Sequence, residues 1–317
     1  CKLKKLQVYY SEMTPIPGTF YIDKLNRWEF SKNNINIRNL INDKFEYQNL
    51  VLRGSKILDK ILKKLPVRHN FDKINYSKDI LKTNKIKILI LGNDLVGHAL
   101  IPNKHPYKNI TFPIFKDYNE MISNIEKLDG VEIWFKKHPA LGFGKYYFNL
   151  NSKKIKFFDN INPNILIEKS DIVVSTLSKL EINVLAFKKP LVYAGVGWFW
   201  SQGYSFDCST KEEFIQTLGK LIKNKNIKLN EKDTFAYVAY LEKKYINLFD
   251  FVSDNLLINK NNQVIKVYNI LNLKIKNVTF NLKSHIKKRD QYFSERLKIK
   301  PIRFIDNIKL FFKKFII

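Results

Sequence analysis

The chain has 317 residues, 56 of them Lys or Arg and 29 Asp or Glu, for a formal charge of +27. That balance excludes an acidic solvating tail, and a hydrophobic fraction of 45% excludes wholesale disorder. A chain of this length buries the core of one large or two ordinary domains, and two are expected.

Lys supplies 49 of the 56 positive residues and Asn accounts for 34 more positions, a bias that an AT-rich genome produces without selecting a partner. Only seven Arg occur, and no finger or aromatic-platform motif surrounds them, so no nucleic-acid partner is expected. The two cysteines, Cys1 and Cys208, build neither a disulfide framework nor a metal-ligand set, which points to a reducing compartment. No apolar run reaches the roughly 18 residues of a membrane-spanning helix.

The first segment reads as a strand from Leu6 to about Ser11, a Pro/Gly turn from Pro15 to Gly18, a short strand from Thr19 to Ile22 and a helix from Asn49 to Lys64, closed by Pro66. Because a strand begins almost at Cys1, the chain reads as though entered in the middle of a domain. A lipidated N-terminus at Cys1 is the other reading.

From about Asn84 onward strands and helices alternate. The apolar run Ile86 to Leu91 is followed by a helix from Asp117 to Leu128, strands at Val131 to Phe135 and Ile155 to Phe158, a helix from Pro163 to Lys169 and a strand from Ile172 to Val174. A helix from Ser178 to Phe187, a strand from Leu191 to Ala194 and a helix from Lys211 to Ile222 complete the series. This alternation predicts a doubly wound, Rossmann-like domain that binds its ligand at the carboxyl ends of its strands, where the loops start at Gly92, Lys136, Ser175 and Gly195.

Residues 231 to 277 read as mostly helical, with Tyr237, Tyr240, Leu241, Tyr245 and Leu248 forming a core face. Residues 283 to 317 carry eleven Lys or Arg against three acidic residues, interleaved with Phe and Ile. They read as an interfacial amphipathic helix that meets an anionic membrane surface, or else as a helix packed on the body.

The strongest local feature is Lys136, Lys137, His138 and Pro139 directly after a strand, followed by Gly142 and Gly144. An imidazole there can donate to a phosphate oxygen, and the lysines add charge. The His98, His105 and Pro106 loop lacks the company of a zinc site. Ser175, Thr176 and Ser178 open a helix, where small hydroxyls cap backbone amides or cradle a phosphate. Glu181, one turn along, could take both hydroxyls of a ribose or serve as a capping acid. At another strand tip, Glu12 is placed to act as a general base on an acceptor hydroxyl, with Asp23 as its competitor.

These residues resemble a known group, the bacterial capsule-polysaccharide synthesis family that includes Kdo transferases, of GT-B architecture. The resemblance lies in Lys137-His138-Pro139, in Ser175-Thr176-Leu177 with Glu181 and Leu185, in Lys189-Pro190-Leu191-Val192, in the Gly195 to Gly197 turn, and in Glu12 with Pro17 and Asp23. Met13 and Thr14 stand where the family's acidic motif usually ends in Gly. Trp198-Phe199-Trp200 is bulkier than expected and could shape a sugar pocket or pack in the core.

The resemblance covers most of residues 8 to 210 and implies an α/β, GT-B-like fold with two Rossmann-like domains, the N-terminal one reading as truncated; the basic amphipathic tail lies beyond the residues that carry it. The expected divisions are 1–84 as a partial acceptor-side domain, 85–230 as the nucleotide-sugar-binding domain, 231–282 as a helical segment and 283–317 as the tail. It implies a glycosyltransferase moving a Kdo- or sialic-acid-like sugar from a CMP-sugar to a glycan or glycolipid acceptor. The enzyme would work at the inner face of the plasma membrane with no metal or other cofactor. Glu12 would be catalytic, and Gly92, Lys137, His138, Pro139, Ser175, Thr176 and Glu181 would hold the donor. The rivals are a transferase of polyol phosphate from a CDP-polyol and a non-enzymatic protein that binds anionic polymer.

Overall fold

The structure, a computed structural model, describes residues 10–17, 19–23, 35–63, 83–93, 112–138, 154–159, 161–224, 229–244 and 246–247. Contacts divide the chain into a compact unit of residues 1–257 and a second unit of residues 258–317. The second unit, with the expected tail, lies outside the described residues, as do His98, His105, Pro106, Pro139, Gly142 and Gly144. No helix among the described residues is long and apolar enough to cross a membrane.

The predicted α/β architecture is present. Among the described residues six parallel strands form the central sheet: β3 (Ile86–Leu91), β4 (Val131–Lys136), β5 (Ile155–Phe158), β6 (Ile172–Ser175), β7 (Leu191–Tyr193) and β8 (Phe206–Asp207), in the order β5-β4-β3-β6-β7-β8. The chain starts in the middle, winds out to β5, returns to β6 beside β3 and winds out the other way. That reversal between β3 and β6 is the topological switch point of a doubly wound sheet.

Period-two alternation sorts the strand residues between two cores. Ile88 and Ile90 of β3 face one side with Ile133, Phe135 and Val174, under α3 (Tyr118–Ile125) and α6 (Lys211–Lys223). Leu89 and Leu91 face the other with Trp134, Val173, Leu191 and Tyr193, where α4 (Pro163–Lys169), α5 (Glu181–Ala186) and α7 (Glu231–Lys244) pack.

The first segment contributes to a second, smaller sheet. Its described strands, β1 (Tyr10–Met13) and β2 (Thr19–Asp23), form an antiparallel hairpin, and β2 pairs in turn with the short strand β9 (Ile246–Asn247). Residues 246–247 therefore extend a sheet where a helix was predicted. The hairpin turn is closed by Thr14 and Thr19, whose hydroxyls bond each other beneath the fully buried Ile16.

After α1 (Ile37–Leu40) comes α2 (Lys44–Lys63), longer than predicted at its start, which runs against α7. Gly54 lets the two helices meet, since a Cβ there would lie 1.8 Å from the Phe235 carbonyl oxygen. Charge pins the same contact. Arg53 forks onto Glu242 at 2.7 and 2.8 Å, and Arg38 Nε donates to both oxygens of the 3% exposed Asp233. Tyr237 and Leu241 are buried as expected, with Tyr240 stacked on Tyr237.

Candidate functional site

The carboxyl ends of β3, β4, β6 and β7 carry the residues that the sequence singled out. At the end of β3, Gly92 donates its N–H to Lys136 O at 2.9 Å, and a Cβ there would lie 2.7 to 2.8 Å from Phe135 Cε1 and Lys136 O. Packing against β4 thus accounts for this glycine, and its amide is engaged within the sheet rather than offered to a ligand.

Next to it, Asn93 crosses the switch point. Its buried side-chain amide donates to both the carbonyl and the hydroxyl oxygen of Thr176, the residue after β6. Its own N–H donates to Tyr118 Oη at 3.1 Å. Burial pushes the Tyr118 hydroxyl up to about 12, against the pull of its bonds to Asn93 and Thr176. The sequence reading missed both Asn93 and Tyr118. Position immediately after an apolar strand was the available signal for Asn93.

At the end of β4, Lys136 is 3% exposed and donates Nζ to the carbonyls of Lys137 and Asp159 at 2.7 and 2.9 Å. Desolvation lowers its pKa to about 8. Lys137 pairs with Asp159 at 3.0 Å and lies over the Phe157 ring, and half-buried His138 follows.

The loop from Ser175 to Leu180 is organised by Glu181. This carboxylate is fully buried and accepts four hydrogen bonds: from Ser175 Oγ at 2.7 Å, Ser178 N at 2.6 Å, Tyr193 Oη at 2.6 Å and Trp198 N at 2.9 Å. Burial nevertheless pushes its pKa up to about 7, since the four donors only partly offset the loss of water. The two outcomes the sequence left open for Glu181 are thereby separated. It closes the first turn of its helix through Ser178 N and ties that turn to β7, with no oxygen exposed toward a ribose.

Ser175 and Thr176 likewise do not cap α5. The helix starts only at Glu181, its N-cap residue Leu180 has no side-chain acceptor, and both hydroxyls are engaged inside the loop. Between them and Ser178 stands Leu177 at φ 60°, buried in left-handed conformation. A non-glycine residue there costs about 1–3 kcal/mol, strain of the kind that collects at functional sites. The aromatic run that could have lined a sugar pocket is core in its first two members, with Trp198 1% and Phe199 0% exposed, and Trp200 packs half-buried beside Tyr193.

Glu12 lies inside β1, opposite Tyr21, rather than at a strand tip. It still reaches the sheet's carboxyl edge, because the Lys179 ammonium donates to its carboxylate. The pair joins the first segment to the loop after β6, and each side chain is about one-third exposed, at 33% for Glu12 and 28% for Lys179. Lys179 carried no signal in the sequence, one lysine among 49. Asp23, the competitor, sits in β2 across from Tyr10.

Comparison with known proteins finds no matching family model and no matching curated sequence. Among solved structures, the Thermosulfurimonas dismutans KpsC β-Kdo 2,4-transferase shares 14% identity at TM-score 0.47, over 75% of this chain and 73% of that one. The β-Kdo 2,7-transferase of the same organism's KpsC also shares 14% at TM-score 0.47, over 84% and 79%. The UDP-GlcNAc 2-epimerase of Methanocaldococcus jannaschii shares 16% at TM-score 0.34, over 60% and 53%. At these scores and identities the likenesses assign neither a family nor an activity to the chain.

Proposed function

We propose that the chain is a glycosyltransferase that uses a nucleotide-activated sugar, with a CMP-sugar of the Kdo or sialic acid type as donor and a glycan or glycolipid as acceptor. The observation that carries the reading is the convergence of Glu12, from the first segment, with the loop Ser175 to Leu180 at the switch point of a doubly wound sheet. A crevice at that point is where such sheets take nucleotides. A carboxylate brought to it from another part of the chain is what activation of an acceptor hydroxyl requires.

In this reading His138 and the loop after β6 stabilise the departing phosphate, and Glu12 takes the proton of the attacking hydroxyl. Glu181 does not touch the ribose. It acts through the loop it holds. Asn93 likewise acts by fixing Thr176, since its side-chain amide is already committed to that residue. The basic segment 283–317 would bring the enzyme to the anionic inner face of the plasma membrane, where lipid-linked acceptors lie.

The test is to incubate the chain with CMP-Kdo or CMP-sialic acid and a glycan acceptor. Release of CMP together with a new glycosidic bond supports the reading. Formation of a phosphodiester from a CDP-polyol, with no glycosidic product, would replace it with polyol-phosphate transfer.

A further inference from the structure

The loop after β6 is held from within: Ser175 and Ser178 by Glu181, Thr176 by Asn93. None of those groups brings a positive charge to the switch point. Of the three lysines that the described residues place at the carboxyl edge, two are engaged on the β4 side, Lys136 by two carbonyls and Lys137 by Asp159. The third, Lys179, belongs to the β6 loop itself, and its ammonium rests on Glu12.

This pairing sets two roles against each other. While Lys179 holds it, the Glu12 carboxylate has a cation where an acceptor hydroxyl would bind, and the ammonium is kept from a donor phosphate. A part-exposed ion pair is weak. A phosphate carries more charge and more acceptor oxygens than a carboxylate, so it competes well for the same ammonium.

We infer that Lys179 is an exchangeable cation, held by Glu12 in the nucleotide-free chain and passed to the donor phosphate on binding, so that the donor's arrival frees Glu12 to receive the acceptor. Only hydrogen bonds change partner in this exchange. It makes Lys179 a phosphate-binding residue, and it orders the reaction with donor before acceptor. The inference rests on the proposed nucleotide site.

Calorimetric titration with CMP, CDP, UMP and UDP tests it, using whichever binds the unsubstituted chain most tightly. Lys179→Ala should weaken that binding about tenfold, the scale of one charge-assisted contact, and should flatten its dependence on salt, while Lys179→Arg should largely restore both. Glu12→Gln, which removes the competitor, should tighten binding a few-fold in the unsubstituted background and leave it unchanged in the Lys179→Ala background. A purely structural lysine would not give that non-additive pattern. Binding by the unsubstituted chain that is indifferent to Lys179→Ala, or a Glu12→Gln gain that persists without Lys179, overturns the exchange while leaving the nucleotide site standing. Failure of the folded, unsubstituted chain to bind any of the four overturns the site itself and the exchange with it.

Discussion

Asn93, one residue beyond Gly92 at the end of β3, donates from one side-chain amide to both the carbonyl and the hydroxyl oxygen of Thr176 at the end of β6. The bond spans the one place in the sheet where the winding direction reverses. There the two crossovers leave in opposite directions and open a crevice, which a side chain rather than a strand must brace.

Removing that brace leaves a buried carbonyl without its donor. Asn93→Leu, similar in volume, is expected to cost about 2–3 kcal/mol in urea unfolding at unchanged slope. Asn93→Asp should cost more, because a carboxylate oxygen would face the Thr176 carbonyl. A stability within about 0.5 kcal/mol of the unsubstituted chain would show that the bond is not formed in solution.

Glu181 gives a prediction with a definite sign in pH. Its folded pKa of about 7 lies above the ordinary 4.5, so between those values the unfolded chain ionises while the folded chain holds the proton. Stability from this group is complete below the unfolded pKa and is lost as pH rises through the folded one, by roughly 3 kcal/mol in all. In Glu181→Gln the amide nitrogen must face Ser178 N–H or Trp198 N–H whichever way it turns, two donors in opposition, at a cost of about 1–3 kcal/mol. The variant is therefore less stable at pH 5, and its deficit narrows toward pH 8. Unfolding free energies measured across that range check both parts, and a deficit that widens with pH would contradict them.

Gly54 is required by the approach of α2 to α7. With the Phe235 carbonyl 1.8 Å from the position of a Cβ, Gly54→Ala must push the helices apart and misalign the Arg53 pair with Glu242. A loss of about 3 kcal/mol is expected, despite alanine's better helix propensity. Thermal unfolding measures it, and a stabilised variant would mean that the helices do not meet at Gly54.

The doubly wound sheet was legible because its strands are short apolar runs ending in small or polar residues, as in Val131 to Phe135, and the helix Pro163 to Lys169 was marked by its leading proline. The first segment was less so. Hairpin strands β1 and β2 were readable from the Pro15 to Gly18 turn, but β9 has two residues and its partner lies more than 200 positions away, so nothing local marks it. The start of α5 was misplaced because Ser178 has the composition of a cap, whereas the group that closes the turn is a carboxylate inside the helix. The ion pair between Glu12 and Lys179 spans 167 positions. A sequence shows two such residues but not their meeting.

For the segment 283–317 the expectation is membrane attachment. Deleting residues 301–317 should release the chain from vesicles containing anionic lipid and leave nucleotide affinity intact, as sedimentation with and without the vesicles would show. Undiminished vesicle binding by the shortened chain would place the contact elsewhere.

Whether the crevice at the switch point holds the phosphate of a CMP-sugar is decided by calorimetric titration of the chain with CMP, CDP, UMP, UDP and GDP, repeated with His138→Ala. CMP-selective binding that falls about tenfold in the variant is expected, from the loss of one charge-assisted or neutral donor to phosphate. Equal affinity in His138→Ala, or no binding of any of the five by the folded chain, would contradict it.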